Sequence, residues 1–315
     1  MSQDARRNAE FPAEQSNSGE FVRQESVFRR WVGRDLPVEA GRYHLYVSLA
    51  CPWAHRVVIA RRLLGLEQAI GMTVVDPIRD GRGWAFREGR GHGLDPLNGF
   101  EFLSEAYART DSSFDGRVTV PVLWDRASGQ IVNNESSEVL RMLGSVFREL
   151  SGSSLDLYPE TQREEIDRIN AQVYDNVNNG VYRSGFATSQ AAYERAVTAL
   201  FATLDDLEVR LSGQRYLAGD ALTEADIRLF TTLVRFDAVY HGHFKCNVRR
   251  IADYEHLFGY LRDLYQTPGF GETVDFDHIK RHYYVTHGNI NPTRIVPVGP
   301  DQDLEAPHRR AELSA

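Results

Sequence analysis

Between residues 42 and 75 the chain spells out a strand, a helix and a second strand, and no other stretch constrains the fold as tightly. Across Arg42–Leu49, Tyr43, Leu45 and Val47 alternate with Arg42, His44 and Tyr46, the period-two signature of a strand. Cys51-Pro52-Trp53-Ala54-His55-Arg56 follows, and then Val57, Val58, Ile59, Ala60, Leu63 and Leu64 recur at helical spacing. Gly65 closes that helix as a C′ residue. Ile70–Val75 is the second apolar run. If the two strands are parallel, their connection is a right-handed crossover.

The rest of the chain arranges itself around this unit. Residues 1–40 are polar with scattered aromatics (Phe21, Phe28, Trp31) and read as an arm lying over a domain. Residues 77–117 are rich in Gly, Arg and Asp and read as an excursion rather than a core element. Strand signals return at Val118–Trp124 and Ile131-Val132 around the turn-like Asp125–Gly129, and a helix runs from about Glu135 to Gly144. An α/β domain over 41–145 results. Ser151–Ser154 and Tyr158-Pro159 mark its end. An all-helical domain is expected over 160–290, with helices at 161–178, 189–212, 223–240, 251–266 and 276–284. Thr223-Glu224-Ala225-Asp226 has the spacing of a capping box, a structural role. The tail over 291–315, with Pro292, Pro297 and Pro300, is expected to be irregular.

Composition narrows the function classes. At 315 residues two domains are favoured over one. Lys and Arg number 36 against 44 Asp and Glu, for a formal net charge of −8, which argues against a nucleic-acid binder with its basic face. Two cysteines, Cys51 and Cys246, cannot build a disulfide framework and fit a reducing compartment. Met1–Glu20 has no apolar core of a secretory signal, and no run approaches about 18 apolar residues. The expectation is a cytoplasmic chain with no membrane segment.

Chemistry concentrates where the first strand meets its helix. A cysteine at a helix start feels the positive end of the helix dipole and unpaired amide donors, which favour the reactive thiolate. Pro52 suits the first turn because it has no amide to leave unpaired. The alternative for Cys51 is a small buried apolar residue. Ala54 stands where a dithiol oxidoreductase carries its second cysteine. A mixed disulfide at Cys51 therefore has no resolving thiol nearby in sequence and needs an external one, which points to glutathione. Cys246 reads as a packing thiol.

Val120-Pro121 stands at a strand start, where a proline is tolerated. A trans bond is the default there; a cis bond would turn the Val120 backbone outward, able to pair with a peptide ligand. In Asn134-Glu135-Ser136-Ser137, Ser136 and its neighbouring amides suit a ligand carboxylate and Glu135 an amino group, though ordinary N-capping explains the string equally. The histidines around His241-Gly242-His243 lack metal-ligand spacing, so no metal is expected. Gly89-Arg90-Gly91-His92-Gly93 neither follows a strand nor opens a helix, and no Gly-x-Ser-x-Gly elbow is present.

Together, Cys-Pro-Trp-Ala at 51–54, Val120–Asp125 and Asn134-Glu135-Ser136 resemble the thioredoxin-like domain of a cysteine-type glutathione transferase. More specific strings lie further along: Gly83-Trp84-Ala85-Phe86, Asn178–Arg183, Arg235–Tyr240, His243–Asn247, His282-Tyr283-Tyr284 and Asn291-Pro292-Thr293. With them the chain resembles the glutathionyl-hydroquinone reductases, the Xi class, over about residues 30–300.

The resemblance implies an α/β thioredoxin-like N-terminal domain plus an all-α C-terminal domain, the glutathione transferase fold, in a homodimer. It implies Cys51 as nucleophile on the sulfur of a glutathionyl-hydroquinone, with glutathione as co-substrate. Val120, Glu135 and Ser136 would hold glutathione, with Trp84 and Arg117 on its other parts. Tyr182, Tyr240 and Tyr283 would converge on the aromatic substrate, with Tyr284 the adjacent alternative to Tyr283. Without the resemblance, each tyrosine reads as core packing. Two other functions share the features at Cys51: an Omega-like thioltransferase or dehydroascorbate reductase, and a non-catalytic glutathione-binding module.

Overall fold

In the computed structural model the described residues are 14–313; residues 1–13 of the expected arm and 314–315 of the tail lie outside them. The strand–helix–strand unit forms where the pattern places it, as β1 (Tyr43–Val47), α1 (Pro52–Leu63) and β2 (Ile70–Val74). Cys51 is the N-cap of α1 in extended conformation, with Pro52 in the first turn. At the other end Gly65 takes φ +63°. Its amide donates to the Arg62 carbonyl and that of Leu66 to the Arg61 carbonyl, a Schellman closure that satisfies the last carbonyls. Val57, Ile59 and Ala60 are fully buried, each branched side chain contributing about 1.5–3 kcal/mol.

The sheet is mixed, in the order β2-β1-β3-β4, with β3 at Val122–Asp125 and β4 at Gln130–Asn133. The β1–β2 pair is parallel, and the other two pairs are antiparallel. Helix α3 (Ser136–Gly144) packs beside α1. The expected arm adds to the sheet edge: Arg30 donates to the Val132 carbonyl, the Asn134 amide donates to the Phe28 carbonyl, and the Phe28 amide donates to the Asn134 side-chain oxygen.

Two expectations need correction here. The alternation in β1 implies one wet face, yet both faces are buried. The cause is the 77–117 segment, which is not a surface excursion. Phe86 packs edge-on to Tyr46, Asp95 accepts from the Tyr46 hydroxyl at 3.0 Å, and Phe100 packs edge-on to Trp124 of β3. The segment also holds α2 (Leu103–Thr110), which buries Leu103, Ala106 and Tyr107 and packs against β4. Glu105 reaches back to the Glu101 and Phe102 amides and fixes the start of that helix.

The chain divides into two units. The first comprises 24–155 and 273–296; the second comprises 156–272, 14–23 and 297–313. The all-helical domain expected over 160–290 therefore loses its last helix, α9 (Phe276–Thr286), to the first unit. Side chains explain this. His278 donates to the Arg90 carbonyl, His282 to the Pro77 carbonyl, and Thr273 pairs with His55 of α1.

In the second unit α4 (Arg163–Val173), α5 (Gly180–Gly185), α6 (Gln190–Gly213), α7 (Glu224–Arg235) and α8 (Glu255–Gln266) supply the core. The expected helices 161–178 and 223–240 both end in wide turns with i→i+5 bonding, Tyr174–Asn178 and Phe236–Tyr240. The capping box at Thr223 forms as expected, and the buried Asp226 also accepts from Leu217 and the Tyr260 hydroxyl. The tail has little regular structure, but Arg310 is buried in it and donates to the carbonyls of Leu211 in the last turn of α6 and of Gln214 and Arg215 just past it.

Candidate active site

The first unit builds its site around the start of α1. Ser48 turns the chain out of β1, its carbonyl accepting from the Cys51 amide at 3.1 Å and its hydroxyl from Ala50. Cys51 is 9% exposed and forms no disulfide. No acidic residue lies in the first turn of α1, so nothing there opposes the helix dipole. The Cys51 Sγ lies 3.6 Å from the Val120 carbonyl oxygen. The Val120–Pro121 bond is cis, against the trans default, because tertiary context selects the isomer and local sequence does not. Pro121 precedes β3, where its missing amide breaks no ladder bond.

At the start of α3, Glu135 is the N-cap, and its carboxylate accepts from the Ser137 amide and hydroxyl and from the Ser26 hydroxyl of the arm segment. The capping reading therefore holds for Glu135. Ser136 is buried and accepts from Arg56 Nη1 at 3.4 Å. Arg56 is the residue the sequence reading passed over. It is buried one turn beyond Cys51, its guanidinium carbon 4.4 Å from the Trp53 ring centre. The available signal was a charged residue set against the apolar run 57–60.

Trp84 and Tyr283 are both buried in the first unit, 4% and 1% exposed. They meet through His282, which stacks on Trp84 and contacts Tyr283 edge-on. Arg79 also lies over the Trp84 ring, 5.5 Å from its centre. Arg117 is half-buried, and its backbone amide donates to Gln24 of the arm segment. Tyr284 is half-buried, and burial raises its phenol above the usual range.

Within the second unit Tyr182 and Tyr240 come together, with ring centres 6.1 Å apart. Phe244 stacks on Tyr240 and meets Tyr182 edge-on, while Phe21 and Phe186 pack on the Tyr182 ring. Tyr240 is the last residue of a wide turn and Tyr182 follows the other one closely. Such turns re-aim side chains and recur at functional sites. Among the described residues no group of three His, Cys, Asp or Glu side chains is placed to hold a metal.

Comparison with known proteins bears on this arrangement. Residues 50–146 match "Glutathione S-transferase, N-terminal domain", and residues 190–263 match "Glutathione S-transferase, C-terminal domain". Glutathionyl-hydroquinone reductase YqjG of Escherichia coli is 51% identical over 306 residues, spanning 94% of this chain and 93% of that protein. The chain belongs to the Xi class of the glutathione S-transferase family.

Glutathionyl-hydroquinone reductase PcpF of Sphingobium chlorophenolicum is 52% identical, over 92% of each chain. The glutathione-bound structure of YqjG superposes with a TM-score of 0.88, covering 90% of this chain and 96% of that one at 51% identity. The Xi transferase of Phanerochaete chrysosporium gives a TM-score of 0.90 at 51% identity, covering 93% and 96%. In this Xi-class chain the thioredoxin-like domain carries the cysteine and the helical domain carries two of the three tyrosines. Among the described residues no helix is long and apolar enough to cross a membrane.

Proposed function

We propose that this chain is a glutathionyl-hydroquinone reductase that works through a Cys51–glutathione mixed disulfide. The observation that carries the reading is the lone thiol at the start of α1, lying 3.6 Å from the Val120 carbonyl with no acidic residue in the first helical turn.

In the first step the Cys51 thiolate attacks the glutathione sulfur of the conjugate. The Cys51–sulfur bond forms, the aryl carbon–sulfur bond breaks, and the ring carbon takes a proton to give free hydroquinone. In the second step a glutathione thiolate attacks the mixed disulfide, releasing oxidised glutathione and restoring the Cys51 thiolate. The two electrons come from glutathione, and the proton lost by its thiol balances the one gained by the ring.

Val120 pairs with the peptide backbone of glutathione, Glu135 and Ser136 hold its γ-glutamyl end, and Trp84 and Arg117 bind the remainder. Tyr182, Tyr240 and Tyr283 serve the hydroquinone oxygens. Donors aimed there stabilise charge that spreads from the departing ring carbon, and a phenol also supplies a proton near the reacting group. The enzyme acts as a homodimer in the cytoplasm, where reduced glutathione is available.

The test is chromatographic. Wild type and Cys51→Ala are incubated with glutathionyl-benzohydroquinone and excess glutathione, and hydroquinone and oxidised glutathione are quantified. Equal yields of both products, dependent on Cys51, are expected. An adduct on Cys51 without turnover would move the assignment to a thioltransferase, and no adduct at all to a binding module.

A further inference from the structure

His282 takes no part in the steps above, yet it is the residue through which two of the proposed site groups touch. Its Nδ1 lies 2.7 Å from the Pro77 carbonyl oxygen. A carbonyl only accepts, so Nδ1 carries the proton and the ring orientation is fixed. The imidazole lies nearly parallel to the Trp84 indole, with centres 5.0 Å apart and planes inclined by 20°. It meets Tyr283 edge-on, at 5.2 Å and 80°. His287 packs edge-on against both His282 and Tyr283, at 5.6 and 5.5 Å. One turn earlier on α9, His278 donates to the Arg90 carbonyl at 2.6 Å. The helix that bears Tyr283 is thus fastened twice to the 77–92 segment that bears Trp84. All of these residues belong to the first unit.

We propose that His282 is a positioning residue that sets the Trp84 indole and the Tyr283 phenol relative to each other. Held on the Pro77 carbonyl, one imidazole links the glutathione side of the site to the hydroquinone side. The inference rests on the reductase reading, through the roles given there to Trp84 and Tyr283. A side chain misplaced by about an ångström costs rate steeply even when it keeps its chemistry, and both His282 and Tyr283 are buried.

Steady-state kinetics with glutathione and glutathionyl-benzohydroquinone separate the two halves of the role. His282→Phe keeps a ring against Trp84 and removes the donor to Pro77. It should lower kcat about 10-fold while the KM for glutathione moves by no more than about two-fold. His282→Asn offers an amide donor near the Nδ1 position and removes the stacked ring; it should raise the KM for glutathione about five-fold and spare more of kcat.

In a Tyr283→Phe background, His282→Phe should cost no more than about two-fold further, because it acts through the phenol. Should His282→Phe fail to fold by circular dichroism, His282→Asn with Trp84→Phe completes the same cycle, read on the KM for glutathione. Wild-type parameters in the His282 variants, or full multiplication of effects in the double variant, would overturn the positioning role. Absence of turnover in the wild type would instead overturn the reductase reading, and this inference with it.

Discussion

Cys51 and Cys246 are the only two thiols of the chain, and they stand in opposite settings. Cys51 occupies the N-cap of α1, at the positive end of the helix dipole, with its sulfur on the Val120 carbonyl. Cys246 lies in the second unit just past the wide turn Phe236–Tyr240 and is fully buried, its sulfur 3.9 and 3.8 Å from the carbonyls of Val181 and Phe244. Burial pushes that thiol up to about 12. The neighbouring His243 is pushed down to about 4, first by burial and then by Lys245. Burial thus drives both Cys246 and His243 toward their neutral forms. Backbone position, not residue type, separates the proposed nucleophile from a packing group.

The strongest way to break this comparison is Cys51→Ser, which should lower hydroquinone release by about 10³-fold or more. Cys246→Ser should leave turnover near wild type. Comparable losses from both would erase the distinction. Next in size is alkylation: brief iodoacetamide treatment of the folded protein at pH 7.5 should modify Cys51 about 100-fold faster than Cys246, with Cys246 reacting only after denaturation. Peptide mass spectrometry reads the ratio.

A third prediction concerns pH. The folded-state value of His243 lies below the ordinary 6.5, as does that of His44, also pushed to about 4 by burial. Above about pH 6.5 both states are neutral and nothing is lost. Between about 6.5 and 4 the unfolded chain takes up protons that the folded chain refuses, so stability falls with pH, by on the order of 3 kcal/mol per histidine at the lower limit. Urea melts at pH 7, 5.5 and 4.5 should show the decline, and His243→Gln should flatten it; equal slopes would remove His243 from the account. The smallest effect is Cys246→Ala, a loss of about 1–2 kcal/mol from the cavity left by sulfur, read in the same melts at pH 7.

Legibility in the sequence followed how local the cause was. The two ends of α1, the capping box at Thr223 and the longer helix periods of the second unit depend on neighbours within a few residues and were readable, whereas the short α5 was not. The candidate nucleophile was readable for the same reason, since a cysteine before proline at a strand-to-helix junction defines its own environment. Arg56 was not, because its burial depends on Trp53 and on Ser136, 80 residues away. The chemistry assigned to the tyrosines came from family resemblance, and periodicity alone had left them as core.

The sequence by itself determined the first strand–helix–strand unit, the later strand pair, the longer helices of the second unit, the family and the place of Cys51, because patterns of period two and 3.6 report which face of a segment avoids water. Only the tertiary structure decided what meets each face. It turned the glycine-rich 77–117 stretch into the cover of β1, chose the cis form at Val120–Pro121, and gave α9 to the first unit on bonds from His278 and His282 to carbonyls about 190 and 205 residues earlier. Periodicity records that a surface is buried, whereas the partner that buries it is fixed by hydrogen bonds and packing between segments far apart in the chain.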